Sequence, residues 1–311
     1  MLGRLASCYQ QRAPTATMAA MGVAGVLLGK RRSRRHLQLR CSHHAAGYHG
    51  DGGGGKSRSL DSTNGCSENI PRAKPFSSAN LTDRCKILQN TKTSRQHLTP
   101  ELALHLITEE CTIYHQPIDE DFCFAAEPFW GFFWPGGQAL TRFILDNKQL
   151  FDGKSVLDVG SGCGASSIAA LKSGAKHVTA NDIDPVALQA TLLNTELNVV
   201  GAPDSIVGQH CLRLELDQTN QIGTGCDRYD VILLGDLFYD AEIADVLIPW
   251  LSRLSRHGKK DIYIGDPGRH GLTETRLRNM IHQARYELPP NVCLENNGFS
   301  HASVWKFVED A

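Results

Sequence analysis

The first 50 residues contain no aspartate or glutamate, although they carry eight lysines and arginines (Arg4, Arg12, Lys30, Arg31, Arg32, Arg34, Arg35 and Arg40). Beyond residue 50 the balance inverts, to 24 basic against 33 acidic residues. An acidic body is a poor match for a phosphate backbone, which disfavours nucleic acid as the main partner. A lysine-bearing protein surface would instead be drawn to it. None of the ten cysteines forms a CxxC pair. Their spacings fit no zinc site, and they predict reduced thiols without a disulfide framework. No metal is expected. No apolar run is long enough to span a bilayer, the strongest (residues 18–29) being only about 12 residues long.

Basic, acid-free and rich in Ala, Ser and Arg, residues 1–40 have the composition of a mitochondrial transit segment. Their densest cluster, Lys30 to Arg35, follows the apolar run, whereas a secretory signal carries its charge before it. Residues 41–95, with the DGGGG run at 51–55, lack the apolar content to offset chain entropy and are expected to be disordered. A folded domain over residues 96–311 is expected to begin with a helical extension. There Thr99 serves as N-cap, Pro100 takes the first position, and Leu102, Leu104, Leu106 and Ile107 follow.

A second helix is predicted around Leu140, Phe143 and Ile144, and from Lys154 strands and helices alternate. Strands are read at 155–159, 177–181, 205–208, 229–234 and 261–265, with closing strands near 292–295 and 302–308. Helices are read at 166–172, from Pro185 to about 198, at 240–255 with Pro249 inside, and at 273–284. The alternation implies an α/β fold with a doubly wound, mostly parallel seven-stranded sheet and an antiparallel edge.

Three motifs carry chemistry. In VLDVGSGCG (156–164) a strand enters a glycine turn. Gly160, Gly162 and Gly164 give GxGxG, not the GxGxxG of nicotinamide binders, and Asp158 is placed to meet the charged amino group of a methionine moiety. In TANDIDP (179–185) Asp182 ends the second strand, where an acid can bind ribose hydroxyls, and Asp184 reads as the cap of the helix opened by Pro185. In GDLFYD (235–240), directly after the fourth strand, Asp236 and Tyr239 face the place where ligands bind in open α/β sheets. The bland alternative is that Asp236 caps a turn and Tyr239 is core. Two weaker signals are the aromatic WPGG segment, with Trp134 as a ligand-stacking candidate, and GDPGR (265–269) at the end of the fifth strand.

In this order and spacing, WPGG, VLDVGSGCG, NDIDP, GDLFYD and GDPGR resemble the seven-β-strand lysine methyltransferases of the Asp-x-x-Tyr type, over roughly residues 98–311. The resemblance implies a Rossmann-like class I methyltransferase with S-adenosylmethionine as donor and lysine ε-amino groups as acceptors. It also implies the electron transfer flavoprotein β subunit as the expected protein substrate, and the mitochondrial matrix as the location. The stretch 217–228 is longer than in that family. Asp236 and Tyr239 become the expected catalytic residues; Trp134, Asp158, Gly160, Gly162, Gly164 and Asp182 become the expected donor ligands. The rival readings are the same fold acting on a ribosomal protein or a small molecule, and a non-catalytic module that binds the same donor.

Overall fold

The structure, a computed structural model, describes residues 81–119, 121–199, 213–258, 260–296 and 298–308. The transit-like segment, residues 41–80 and the strand expected at 205–208 lie outside the described residues.

Regular structure is present well before Leu98. Helix α1 (Leu81–Asn90) buries Ile87 and pairs Arg84 with Glu196 at 2.6 Å. Strand β1 (Lys92–Ser94) runs antiparallel to β2 (Leu104–Leu106). Two expectations are thereby corrected: residues 81–95 are not disordered, and residues 101–107 are not a helix. Leu102, Leu104 and Leu106 are buried at a period of two, the spacing of a strand. Asn198 and Asn194 also take the backbone N–H groups of Ala103 and His105, at 2.9 and 2.7 Å. A short helix α2 (Thr112–His115) follows, and α3 (Pro135–Asp146) starts with proline in its first turn.

The body is built from β3 (Ser155–Val159), α4 (Ala165–Lys172), β4 (His177–Asn181), α5 (Pro185–Val199), β5 (Leu214–Asp217), β6 (Val231–Gly235), α6 (Ala241–Gly258) and β7 (Asp261–Asp266). Then come α7 (Glu274–Leu277), β8 (Met280–Glu287), α8 (Pro290–Glu295) and β9 (His301–Phe307). The sheet order is β5-β4-β3-β6-β7-β9-β8. Its first five strands are parallel, and β9 runs antiparallel to both β7 and β8.

The helix expected at 273–284 is only the four residues of α7, and the strand expected near 292–295 is helix α8. The antiparallel edge is instead β8 against β9. β8 is mostly exposed, so its residues lack the apolar alternation that marks a half-buried strand. Pro290 sits in the first turn of α8, the usual place for a helical proline.

Two apolar layers cover the sheet. Leu140, Phe143 and Ile144 of α3 pack on one face with Val156, Val231 and Tyr263. On the other, Leu247, Trp250 and Leu251 of α6 pack with Leu157, Ile232 and Ile264. Each large side chain buried this way contributes about 1.5–3 kcal/mol, which holds the strand ends in register. Among the described residues no helix is long and apolar enough to cross a membrane.

Candidate active site

The carboxyl ends of β3, β4, β6 and β7 bring together the glycine turn, Asp182, Asp236 and Asp266. The turn is left-handed at all three glycines, with φ of +65° at Gly160, +52° at Gly162 and +78° at Gly164. A Cβ at Gly164 would lie 2.7 Å from the Thr191 side chain. At Gly162 the space is open, and a Cβ would meet nothing nearer than 3.8 Å. That glycine is required by its backbone angle and leaves room for a ligand.

Two carboxylates stand around this turn. Asp158 is 2% exposed and accepts from Ser167 Oγ at 2.6 Å. Burial pushes its pKa up to about 7, and the nearby Asp182 adds to the effect. Asp182 accepts from the N–H of Gly162 and the N–H of Asp184, both at 3.0 Å, and burial pushes it up to about 6. Asp184 in turn takes the N–H of Val186 at 2.8 Å, so it caps α5 as its sequence position suggested. The Ser161 hydroxyl is buried at the same turn without a partner. Open space at Gly162, an unpartnered hydroxyl and two costly acids fit a ligand that brings positive charge and ribose hydroxyls, as S-adenosylmethionine does.

The second half of the site joins WPGG, GDLFYD and GDPGR. Gly136 and Gly265 touch backbone to backbone, and a Cβ at Gly265 would fall 2.0 Å from the Gly136 carbonyl oxygen. Asp236 is held from three sides. Its N–H donates to the Gly265 carbonyl at 2.8 Å, and Oδ2 accepts from the N–H of Gly136 at 2.7 Å. Oδ1 accepts from Arg269 Nε at 2.6 Å. Asp236 also has φ of +62°, a left-handed conformation uncommon outside glycine. Its carboxylate therefore caps the N-terminus of α3, the bland role, and forms an ion pair as well. Each oxygen keeps a further lone pair, since a carboxylate has about four acceptor positions.

Arg269 extends from Asp236 over the rings of Trp134 (5.7 Å) and Phe299 (5.3 Å). Trp134 donates its indole N–H to the Phe129 carbonyl at 3.0 Å, which fixes the ring. Trp134, Tyr239 and Arg269 line a cavity of about 470 Å³ whose other walls include Tyr114, Phe129, Phe132 and Phe133. Lys92 to His97, around β1, and Glu109 and Glu110 also line it. Neither the glycine turn nor Asp236 does. Tyr239 connects the halves: burial pushes its hydroxyl pKa up, followed by the charges of Asp240 and Asp182.

The structure groups Asp158, the three glycines and Asp182 around one turn, and it sets Trp134, read from the sequence as a donor ligand, in the adjoining cavity wall with Tyr239 and Arg269. The sequence offered GDPGR as a shaper of the acceptor channel or as a plain turn, without singling out Arg269 or Asp266, although the glycines of WPGG and GDPGR were a signal of close approach. The hairpin that walls the cavity was also missed. Among the described residues, no cluster of His, Cys, Asp and Glu could hold a metal ion.

A glycine turn after the first parallel strand, an acid ending the next and this sheet order define an S-adenosylmethionine-dependent class I methyltransferase. The profile of the ribosomal protein L11 methyltransferase (PrmA) family matches residues 139–259. The electron transfer flavoprotein beta subunit lysine methyltransferase of Xenopus laevis is 43% identical over 226 residues, covering 72% of this chain and 86% of that protein. The Homo sapiens protein of the same description is 41% identical over 221 residues, covering 70% and 79%. Among solved structures, the ribosomal protein L11 methylase of Lactobacillus delbrueckii subsp. bulgaricus is 21% identical with a TM-score of 0.40, covering 68% of this chain and 97% of that one. The chain belongs to the electron transfer flavoprotein beta subunit lysine methyltransferase family, and is thus a protein-lysine methyltransferase.

Proposed function

We propose that this enzyme methylates lysine ε-amino groups of the electron transfer flavoprotein β subunit, with the acceptor side chain entering the aromatic cavity beside Tyr239. The observation that carries this reading is the cavity itself. One of its walls is Arg269, whose guanidinium is bonded to Asp236 at the end of β6, and β6 is the sheet neighbour of β3, which the glycine turn follows. The printed names of the relatives supply the identity of the acceptor. The L11 methyltransferase match spans residues 139–259 and does not reach the walls at 92–134, so it carries no information about the acceptor.

The donor supplies a methyl group already activated on a sulfonium. Before attack the acceptor ammonium loses a proton to water. The amine lone pair then forms the N–C bond while the C–S bond breaks and leaves its electron pair on sulfur. The protein's task is alignment and deprotonation. Free lysine has a pKa near 10.4, and desolvation among Phe132, Phe133 and Trp134 favours the neutral amine. In this reading a remaining lone pair of Asp236 accepts a hydrogen bond from that amine, with Tyr239 packed against it. Asp158 and Asp182 hold the amino and ribose ends of the donor, the glycine turn admits it, and Trp134 flanks it. The mitochondrial matrix is the proposed location, on the composition of residues 1–40.

The test is single-turnover methylation of purified electron transfer flavoprotein β subunit by Asp236→Asn, beside titration calorimetry with S-adenosylmethionine. Misalignment by about 1 Å costs about 100-fold in the chemical step, so the rate should fall by that much or more with little change in donor affinity. Near-normal turnover would remove Asp236 from the acceptor site.

A further inference from the structure

The motif GDPGR places a second buried carboxylate beside the first. Asp266, the last residue of β7, is 1% exposed. Its Oδ1 accepts the N–H groups of Gly268 (2.6 Å) and Arg269 (2.8 Å), while Oδ2 has no partner. The same Arg269 that Asp266 anchors by its backbone donates from its side chain to Asp236. One arginine thus joins the two buried acids, Asp266 through its backbone N–H and Asp236 through its guanidinium. Its backbone is tied to Asp266, and its guanidinium is held by Asp236 and the rings of Trp134 and Phe299.

We propose that Arg269 is a positioning residue that keeps the Asp236 carboxylate charged and aimed against the like charge of Asp266, so that Asp236 remains able to hold the acceptor amine. The inference rests on the reading of Asp236 given above. The physical argument is that of any close carboxylate pair. Two acids side by side in a buried site do not both ionise readily, and a cation beside one of them favours its charged form. The proton of Asp266 already responds to this arrangement: burial and then the Asp236 charge push it up to about 7.

Other charged groups are placed less effectively. Lys92, Arg95, Glu109 and Glu110 share the cavity walls with Arg269, but they are exposed, of both signs and screened by solvent. His97, Tyr114 and Tyr239 also line the cavity; His97 is pushed down to about 4 by burial and so is neutral at working pH. Arginine suits the task better than lysine. Its Nε–H fixes one carboxylate oxygen while its planar face rests on two rings.

The decisive readout is the rate of each variant divided by that of the wild type across pH, because the rising ionisation of the acceptor amine cancels in the ratio. Single-turnover methylation of the electron transfer flavoprotein β subunit is measured for R269M, R269K, D266N and R269M/D266N. In R269M, Asp236 and Asp266 hold a shared proton into the neutral range. The ratio should therefore fall by about a further tenfold between about pH 8.5 and about pH 6, the effect of roughly one pH unit of protonation. R269K keeps the charge, so its ratio should be low but flat. Adding D266N to R269M removes the competing acid and should flatten the ratio again. A ratio for R269M that is flat across this range, or one that D266N leaves sloping, overturns the proposal. Should R269M fail to fold by circular dichroism, R269Q replaces it with the same expected slope and the same refuting result. If D236N turns over like the wild type, the reading of Asp236 has failed, whatever the R269M profile shows.

Discussion

Asp158 is the most expensive charge in the donor half of the site, and removing it should stabilise the donor-free enzyme. Its carboxyl is 2% exposed and holds its proton up to about 7, whereas an unfolded aspartate releases it near 3.9. A group raised in this way stabilises the fold at low pH, and that contribution is lost as the pH rises toward 7. At about pH 8 the gap of roughly three pKa units is a cost of about 4 kcal/mol. Asp158→Asn eliminates that cost and can keep the bond from Ser167, but it leaves an amide N–H₂ group to be satisfied, which costs about 1–3 kcal/mol. The expected net gain is about 1–3 kcal/mol at about pH 8. At about pH 5 the native acid is protonated and its cost falls to about 1–2 kcal/mol, so the gain should vanish. Thermal unfolding of both proteins without donor, at the two pH values, reads this as a rise of several degrees at the higher pH alone. Calorimetry should show weaker S-adenosylmethionine binding by the same variant, since stability and binding oppose each other here. An Asp158→Asn protein no more stable than wild type at either pH would refute the claim that a buried charge is held ready for the donor.

Three further outcomes follow from the geometry. Asp182→Ala should weaken S-adenosylmethionine binding by about 1–3 kcal/mol, and wild-type affinity should fall as the pH drops through about 7 and then about 6, where Asp158 and Asp182 in turn gain their protons; calorimetry across pH reads both. Gly265→Ala forces a methyl group onto the Gly136 carbonyl, and overpacking of this kind costs about 1–3 kcal/mol or more, seen as a lower melting temperature and weaker turnover. A chain starting at Leu81 should keep its in vitro activity, whereas one starting at Gln96 loses buried Ile87, the Arg84–Glu196 pair and a cavity wall, and should melt several degrees lower.

Much of this fold can be read from the chain because its central strands are short apolar runs covered on both faces. β3, β6 and β7 announce themselves through such runs and the glycines or acids that end them, and β4 (HVTAN) through the acid that follows it. The periphery cannot be read the same way. β8 exposes most of its side chains, so its helix-like composition hid an edge strand that only its pairing with β9 defines. Leu102, Leu104 and Leu106 fit both a helix face and a strand, and asparagines about 90 positions away on α5 decided the outcome. The glycine turn and Asp182 were legible because a local motif carries them. The Asp236–Arg269 pair was not, since it joins two loops 33 residues apart with no periodic signal. The left-handed backbone of Asp236 likewise follows from packing around Gly136 and Gly265 and not from any local rule.

The most direct test of the central claim is intact-mass and peptide mass spectrometry of purified electron transfer flavoprotein β subunit. It is incubated with this enzyme and S-adenosylmethionine, beside ribosomal protein L11 as a competing acceptor and Asp236→Asn as the control. The account predicts methyl increments on lysine of the flavoprotein subunit, none on L11, and increments that accumulate about 100-fold or more slowly with Asp236→Asn although that variant still binds the donor. Methylation of L11 in place of the flavoprotein subunit, or equal methylation by Asp236→Asn, would contradict it.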